Sequence, residues 1–209
     1  EILDIESNNL TPQINNNDLG KIHDVKDSFR LHIDEILNLK HVNPQKIRDK
    51  KFKIVVDGIN SSGGIIIPML LEILNVEVIK INCVPDGNFA HDPEPLDKNL
   101  SELKKEVLVH NADLGIAVDP DVDRLVFVSD KGETLGEENT LISCADYILS
   151  KESGPAVTNL SSSMGLRDVC TKYNVECFSS KVGEINVVEK MKAVNAVSYT
   201  HLTLPTTHD

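Results

Sequence analysis

The chain alternates short β-branched runs with stretches of helical apolar spacing, and this alternation limits the architecture more than any other feature. Phe52-Lys53-Ile54-Val55-Val56-Asp57 reads as a strand, followed by the loop Gly58-Ile59-Asn60-Ser61-Ser62-Gly63-Gly64 and a helix running on through 68–74. A second strand is expected over 76–81, then a long loop, 82–95, that holds three prolines, then a helix over 96–108. Strands at 114–118 and 125–128 come next, closed by the turn Asp130-Lys131-Gly132. The helix expected over 136–150 turns Leu141, Ala145 and Ile148 inward. After Ser153-Gly154-Pro155 the pattern restarts, with strand 156–158, helix 164–173 and strand 175–178. Ahead of it all, Val25, Phe29, Ile33, Ile36 and Leu37 mark a helix over 24–39 that stops at Asn43-Pro44.

Strands and helices in this order imply an α/β fold, a layered α/β/α domain with a mostly parallel sheet, followed by the start of a second similar domain. The organisation expected is a polar linker or arm over 1–23, the first domain over 24–152, and a partial second domain over 153–197. The Thr-rich end, 198–209, has neither cap nor turn joining it to the preceding helix and reads as an unstructured or foreign tail.

The formal net charge of −12 argues against nucleic acid and against anionic membrane as partners. An anionic substrate would need a local metal or a local basic group. Cys83, Cys144, Cys170 and Cys177 form no CxxC pair, so they read as four free buried thiols in a reducing, cytoplasmic setting. No run has the length of a membrane span, and the first residues lack the basic start of a signal peptide. With no tryptophan and 4% aromatic residues, a bound sugar would be held by polar groups.

Asp119-Pro120-Asp121-Val122-Asp123-Arg124 follows directly on an apolar strand, and in α/β sheets the loop leaving a strand's carboxyl end is where ligands bind. Three carboxylates so close repel one another unless a cation lies among them, and hard oxygen donors select Mg²⁺, Mn²⁺ or Ca²⁺. Asp119, Asp121 and Asp123 are the candidate metal ligands, expected to present their oxygens to one point. Arg124 adds a fork suited to phosphate; the plainer alternative is that it pairs with a neighbouring aspartate. A calcium EF-hand is excluded, because its sixth and twelfth positions hold Arg124 and Asp130 and the flanks are strands. A haloacid-dehalogenase-like phosphatase and a non-catalytic divalent-cation-binding module remain as alternatives. In the loop before the first long helix, Ser61 or Ser62 is expected to cap the helix, and His91 is expected to be structural or solvated.

At the acidic loop the chain resembles the α-D-phosphohexomutase superfamily, whose metal loop reads Asp-x-Asp-x-Asp-Arg. The likeness covers 24–197: Lys53 to Asp57 with Asn60-Ser61-Ser62-Gly63-Gly64 is similar to the opening of the family's second domain, and Gly87-Asn88-Phe89 with Asp92-Pro93-Glu94-Pro95-Leu96 to its proline-rich loop. Lys181-Val182-Gly183-Glu184 is similar to the lysine loop of the third domain. The resemblance implies an intramolecular phosphotransferase that interconverts hexose 1-phosphate and 6-phosphate through a phosphoserine and a bisphosphorylated sugar. It also implies Mg²⁺ on Asp119, Asp121 and Asp123, catalytic roles for Arg124 and Lys181, and substrate contacts from Lys181 and Glu184. The substrate implied is a phosphorylated hexose: glucosamine, mannose or glucose. No Ser-His-Asn-Pro-type loop occurs in the chain, so the phosphoserine and the family's domains 1 and 4 are expected outside it.

Overall fold

A computed structural model describes residues 27–200 together with Gly20 and His23. The chain runs α1 (Ser28–Leu37), α2 (Pro44–Arg48), β1 (Lys53–Asp57), α3 (Gly63–Ile73), β2 (Glu77–Ile81), α4 (Ser101–Val109), β3 (Leu114–Val118) and β4 (Leu125–Ser129). It continues through α5 (Glu137–Leu149), β5 (Ala156–Asn159), α6 (Gly165–Tyr173), β6 (Cys177–Ser180), α7 (Glu184–Val194) and β7 (Ser198–Thr200).

The first sheet has the order β2-β1-β3-β4, with β1 parallel to both β2 and β3, and β4 returning antiparallel on β3. β1 and β3 are central and buried on both faces, which is why their sequences, KIVVD and LGIAV, read as unbroken apolar runs. Successive side chains go to opposite faces. Val55 and Ala117 join Leu100, Leu103 and Val107 under α4. Ile54, Val56, Ile116 and Val118 join Leu71, Leu74 and Val76 under α3. Each such burial stabilises by about 1.5–3 kcal/mol for a Val, Leu or Ile side chain, so the carboxyl ends of β1 and β3 sit on a well-anchored base.

The second sheet, β6-β5-β7, is all parallel. α5 packs on β4 with one side and on α6 and β7 with another, so it joins the two sheets. Its buried residues are Thr140, Ala145 and Leu149. Of the three expected inward, Ala145 alone is buried, because the helix serves two neighbours and its apolar stripe is turned accordingly.

Several expected boundaries move. The first helix starts at Ser28 within the described residues, and 24–26 lie outside them. Residues 97–99 form a 3₁₀ turn before α4, and the strand expected at 175–178 pairs instead from Cys177 to Ser180. The tail expected from 198 begins as structure: β7 pairs in parallel with β5, Ala156 opposite Ser198, a long-range pairing invisible to local pattern. Leu202 and Leu204 lie outside the described residues. All four cysteines are free, but only Cys170 is buried; Cys144 is exposed, and Cys83 and Cys177 are intermediate. Among the described residues no helix is long and apolar enough to cross a membrane.

Candidate functional site

The acidic loop spans the turn between β3 and antiparallel β4, from the pair Val118–Leu125 outward. Two bonds shape it. The backbone N–H of Val122 donates to the Asp119 carbonyl at 3.1 Å, and the N–H of Arg124 donates to Asp119 Oδ1 at 2.9 Å. Asp119 therefore closes the loop with its own carboxylate. Val122 lies at φ 62°, a left-handed conformation that costs a β-branched residue about 1–3 kcal/mol. The site holds it there by packing Val122 against the apolar cluster under α3.

Asp119 is half-buried, whereas Asp121 and Asp123 are exposed. Burial raises the Asp119 carboxyl above its ordinary value; the Arg124 N–H opposes the shift, and the neighbouring Asp121 charge adds to it. Two like charges thus face each other at the loop. Among the described residues no three His, Cys, Asp or Glu side chains come together as a cage for a metal ion. The single meeting point expected for Asp119, Asp121 and Asp123 is thus not formed among the described residues: Asp119 is turned to the Arg124 N–H.

The glycine-rich turn after β1 supports this loop from the side. Ser61 Oγ and Ser62 Oγ each donate to the Pro120 carbonyl at 2.8 Å. Neither hydroxyl caps α3; Ser62 is at the N-cap position without a side-chain cap bond, so the expected cap is replaced by a tie to the acidic loop. The approach is close: a Cβ on Gly63 would lie 2.4 Å from Val118 Cγ2.

The proline-rich loop supports it from the other side. Asp57, at the carboxyl end of β1, is 2% exposed and accepts from the Ile59 N–H at 3.0 Å. His91 Nε2 lies 3.0 Å from Asp57 Oδ2, and His91 Nδ1 lies 2.8 Å from the Asp92 carbonyl. His91 is structural, as expected. Glu94 Oε1 accepts from Arg124 Nη1 at 3.0 Å, so Arg124 is paired, though with a residue thirty positions away and not with a neighbouring aspartate. Sequence reasoning missed Glu94, Asp57 and the two serines as parts of the site. The one signal available was their place in loops at strand ends.

Lys181 and Glu184 are exposed at the carboxyl end of β6 and the first residue of α7. Among the described residues neither shares a hydrogen bond or ion pair with the acidic loop. A groove of about 500 Å³ lined by Leu39, Val42, Phe127, Tyr147 and Ile148 is apolar and includes none of these residues.

Comparison with known proteins bears on both sheets. Residues 30–132 match the family model for phosphoglucomutase/phosphomannomutase, alpha/beta/alpha domain II, and residues 137–199 match the model for domain III. The chain is 35% identical over 180 residues to a protein of Methanosarcina acetivorans named "probable phosphoglucosamine mutase", covering 86% of this chain and 39% of that one. It is 31% identical over 177 residues to a phosphoglucomutase/phosphomannomutase of Thermococcus kodakarensis, covering 84% and 38%. The crystal structure of a phosphoglucomutase/phosphomannomutase family protein from Burkholderia thailandensis shares the fold, with a TM-score of 0.67 at 23% identity over 81% of this chain and 37% of that one. The chain thus spans about two fifths of the length of the curated relatives it matches.

Proposed function

The chain belongs to the phosphoglucomutase/phosphomannomutase family, whose domains II and III it carries, and from that premise we propose that it is part of a Mg²⁺-dependent phosphohexomutase. The reaction is the interconversion of hexose 1-phosphate and 6-phosphate through a phosphoserine and a bisphosphorylated sugar. The phosphoserine and the fourth domain belong to the part of such an enzyme beyond domains II and III. The names of several relatives make a glucosamine phosphate the first substrate to test. The working place of such an enzyme, with its phosphorylated sugars, is the cytoplasm.

One observation carries this reading. At the carboxyl edge of the first sheet, Asp119, Asp121 and Asp123 stand together on one short loop, and it ends at Arg124 with its guanidinium held by Glu94. The donors are hard oxygens, and a cation between the carboxylates would remove their repulsion; Asp119, Asp121 and Asp123 would be its ligands once their side chains turn to a common point. When bound, the ion neutralises charge on the transferring phosphoryl group. The chain's own residues do the rest. Asp119 fixes the Arg124 backbone, Arg124 offers N–H donors to a phosphate, and Ser61 and Ser62 hold the loop against the sheet. Lys181 and Glu184 contact the sugar phosphate from the second sheet.

The test has two arms. Calorimetric titration of the chain with Mg²⁺ should show binding that Asp121→Asn greatly weakens; equal binding by both would remove the metal from the reading. The chain alone should turn over no glucosamine, mannose or glucose phosphate. Mutase turnover would mean that the phosphoryl carrier lies within these residues, and release of free phosphate would favour the phosphatase-like alternative.

A further inference from the structure

We propose that Glu94 is a positioning residue for Arg124, set in place by a loop that His91 fastens to the buried Asp57. What the positioning serves rests on the reading of Arg124 as a phosphate-binding group; the positioning itself stands on geometry.

Arg124 is fixed at both ends. Its backbone N–H is held by Asp119 Oδ1, and its guanidinium by Glu94 Oε1. The Arg124 side chain is 17% exposed and that of Glu94 34%. A fully exposed ion pair contributes little, because water screens it and two long side chains must be ordered. This pair is partly withdrawn from water, and one of its partners has little freedom. Glu94 lies between Pro93 and Pro95, and the residue before a proline is confined to extended backbone. Pro95 is buried. Asn99 Nδ2 donates to the Glu94 carbonyl at 2.8 Å, and the Glu94 N–H donates to Asp92 Oδ1 at 3.3 Å.

The loop is also tied to the sheet. His91 bonds to Asp57, which is 2% exposed and ends the central strand β1. A chain of contacts therefore runs from the sheet core through Asp57 and His91, along two residues of restrained loop, to Glu94 and the Arg124 guanidinium. The contact to Glu94 uses Nη1, and a guanidinium carries five N–H donors in a rigid fork. Gripped at one nitrogen, it keeps a fixed plane while presenting other donors to an anion, so less side-chain entropy is lost when an anion binds.

The test uses the guanidinium resonances of Arg124 in the ¹⁵N-labelled 209-residue chain, assigned by their loss in Arg124→Lys. In the unaltered chain the Nη signals should be resolved, reporting hindered rotation. Glu94→Ala should average them into one signal while the backbone amide spectrum of the sheets is kept. Glu94→Gln, which retains an oxygen acceptor at the same reach, should restore them in part. His91→Asn should broaden or average them although Glu94 is intact. Resolved Arg124 signals in Glu94→Ala would overturn the proposal, and resolved signals in His91→Asn would overturn the fastening by His91. Titration with inorganic phosphate separates the two layers. A phosphate-dependent shift at Arg124 supports its phosphate role; if none occurs, that role falls, and the Glu94 coupling is judged on the guanidinium signals.

Discussion

The hydroxyl of Ser61 reaches across fifty-nine positions of sequence to donate to the carbonyl oxygen of Pro120 at 2.8 Å. Ser62 donates to the same oxygen. Two donors on one carbonyl weld the glycine-rich turn after β1 to the acidic loop after β3. Removing both should matter more than removing either, because one hydroxyl can still satisfy the carbonyl. The double variant Ser61→Ala, Ser62→Ala should lose about 1–2 kcal/mol, and each single variant less than half of that. Urea unfolding checks the energies, and hydrogen exchange should show faster exchange at the Val122 and Arg124 N–H groups in the double variant.

The glycines of the same turn leave no room for a side chain. A Cβ on Gly58 would lie 2.4 Å from Gly64 Cα, and one on Gly63 would lie 2.4 Å from Val118 Cγ2. Gly58→Ala meets backbone and has nothing to push aside; Gly63→Ala meets a stiff β-branched side chain. Both should destabilise by about 1–3 kcal/mol, with Gly58→Ala the worse. The urea midpoints of the two variants decide the ranking.

His91 should make stability depend on pH in a definite direction. Both ring nitrogens face oxygen acceptors, Asp57 Oδ2 and the Asp92 carbonyl, and only the imidazolium can donate from both. Burial alone would lower its pKa, but the bonds to Asp92 and Asp57 outweigh it and the pKa is raised. A raised folded-state pKa gives stability that is fully present below the ordinary histidine value of about 6.5 and is lost as pH rises through the folded value. The difference in urea midpoint between the parent chain and His91→Asn should therefore be larger at pH 6 than at pH 8. A larger difference at pH 8 would contradict the bonding described.

Asp121→Asn should separate metal binding from folding. The exposed Asp121 carboxylate adds repulsion at Asp119, and the amide removes that charge without changing shape. Mg²⁺ heats in calorimetry should fall sharply, while the thermal midpoint of the metal-free chain holds or rises. Loss of both would mean that Asp121 supports the fold.

How much of this was legible depends on distance along the chain. β1 and β3 could be read directly, because strands buried on both faces must be continuously apolar, and Lys53–Asp57 and Leu114–Val118 are so. The acidic loop was legible by contrast: three aspartates and an arginine stood within six residues between two apolar runs. α5 was legible as a helix but not in orientation, since two sheets compete for its faces and sequence period does not say which wins. β7 was misread because a three-residue strand has no period of its own and exists through its partner β5.

By itself the sequence determined that the chain is layered α/β and that three aspartates and an arginine leave a central strand together. These follow from period, polarity and charge, which act between near neighbours. Only the tertiary structure decided which groups hold that loop. Ser61 and Ser62 turned from helix capping to Pro120, Glu94 took the guanidinium of Arg124, and Asp119 spent its carboxylate on the Arg124 N–H, leaving three carboxylates without a common point. Each of these is a choice among hydrogen-bond partners of similar strength, and such a choice is made by which strand lies beside which. Parallel pairing of β1 with β3 brings their carboxyl ends side by side, and no local pattern in either strand specifies that neighbour.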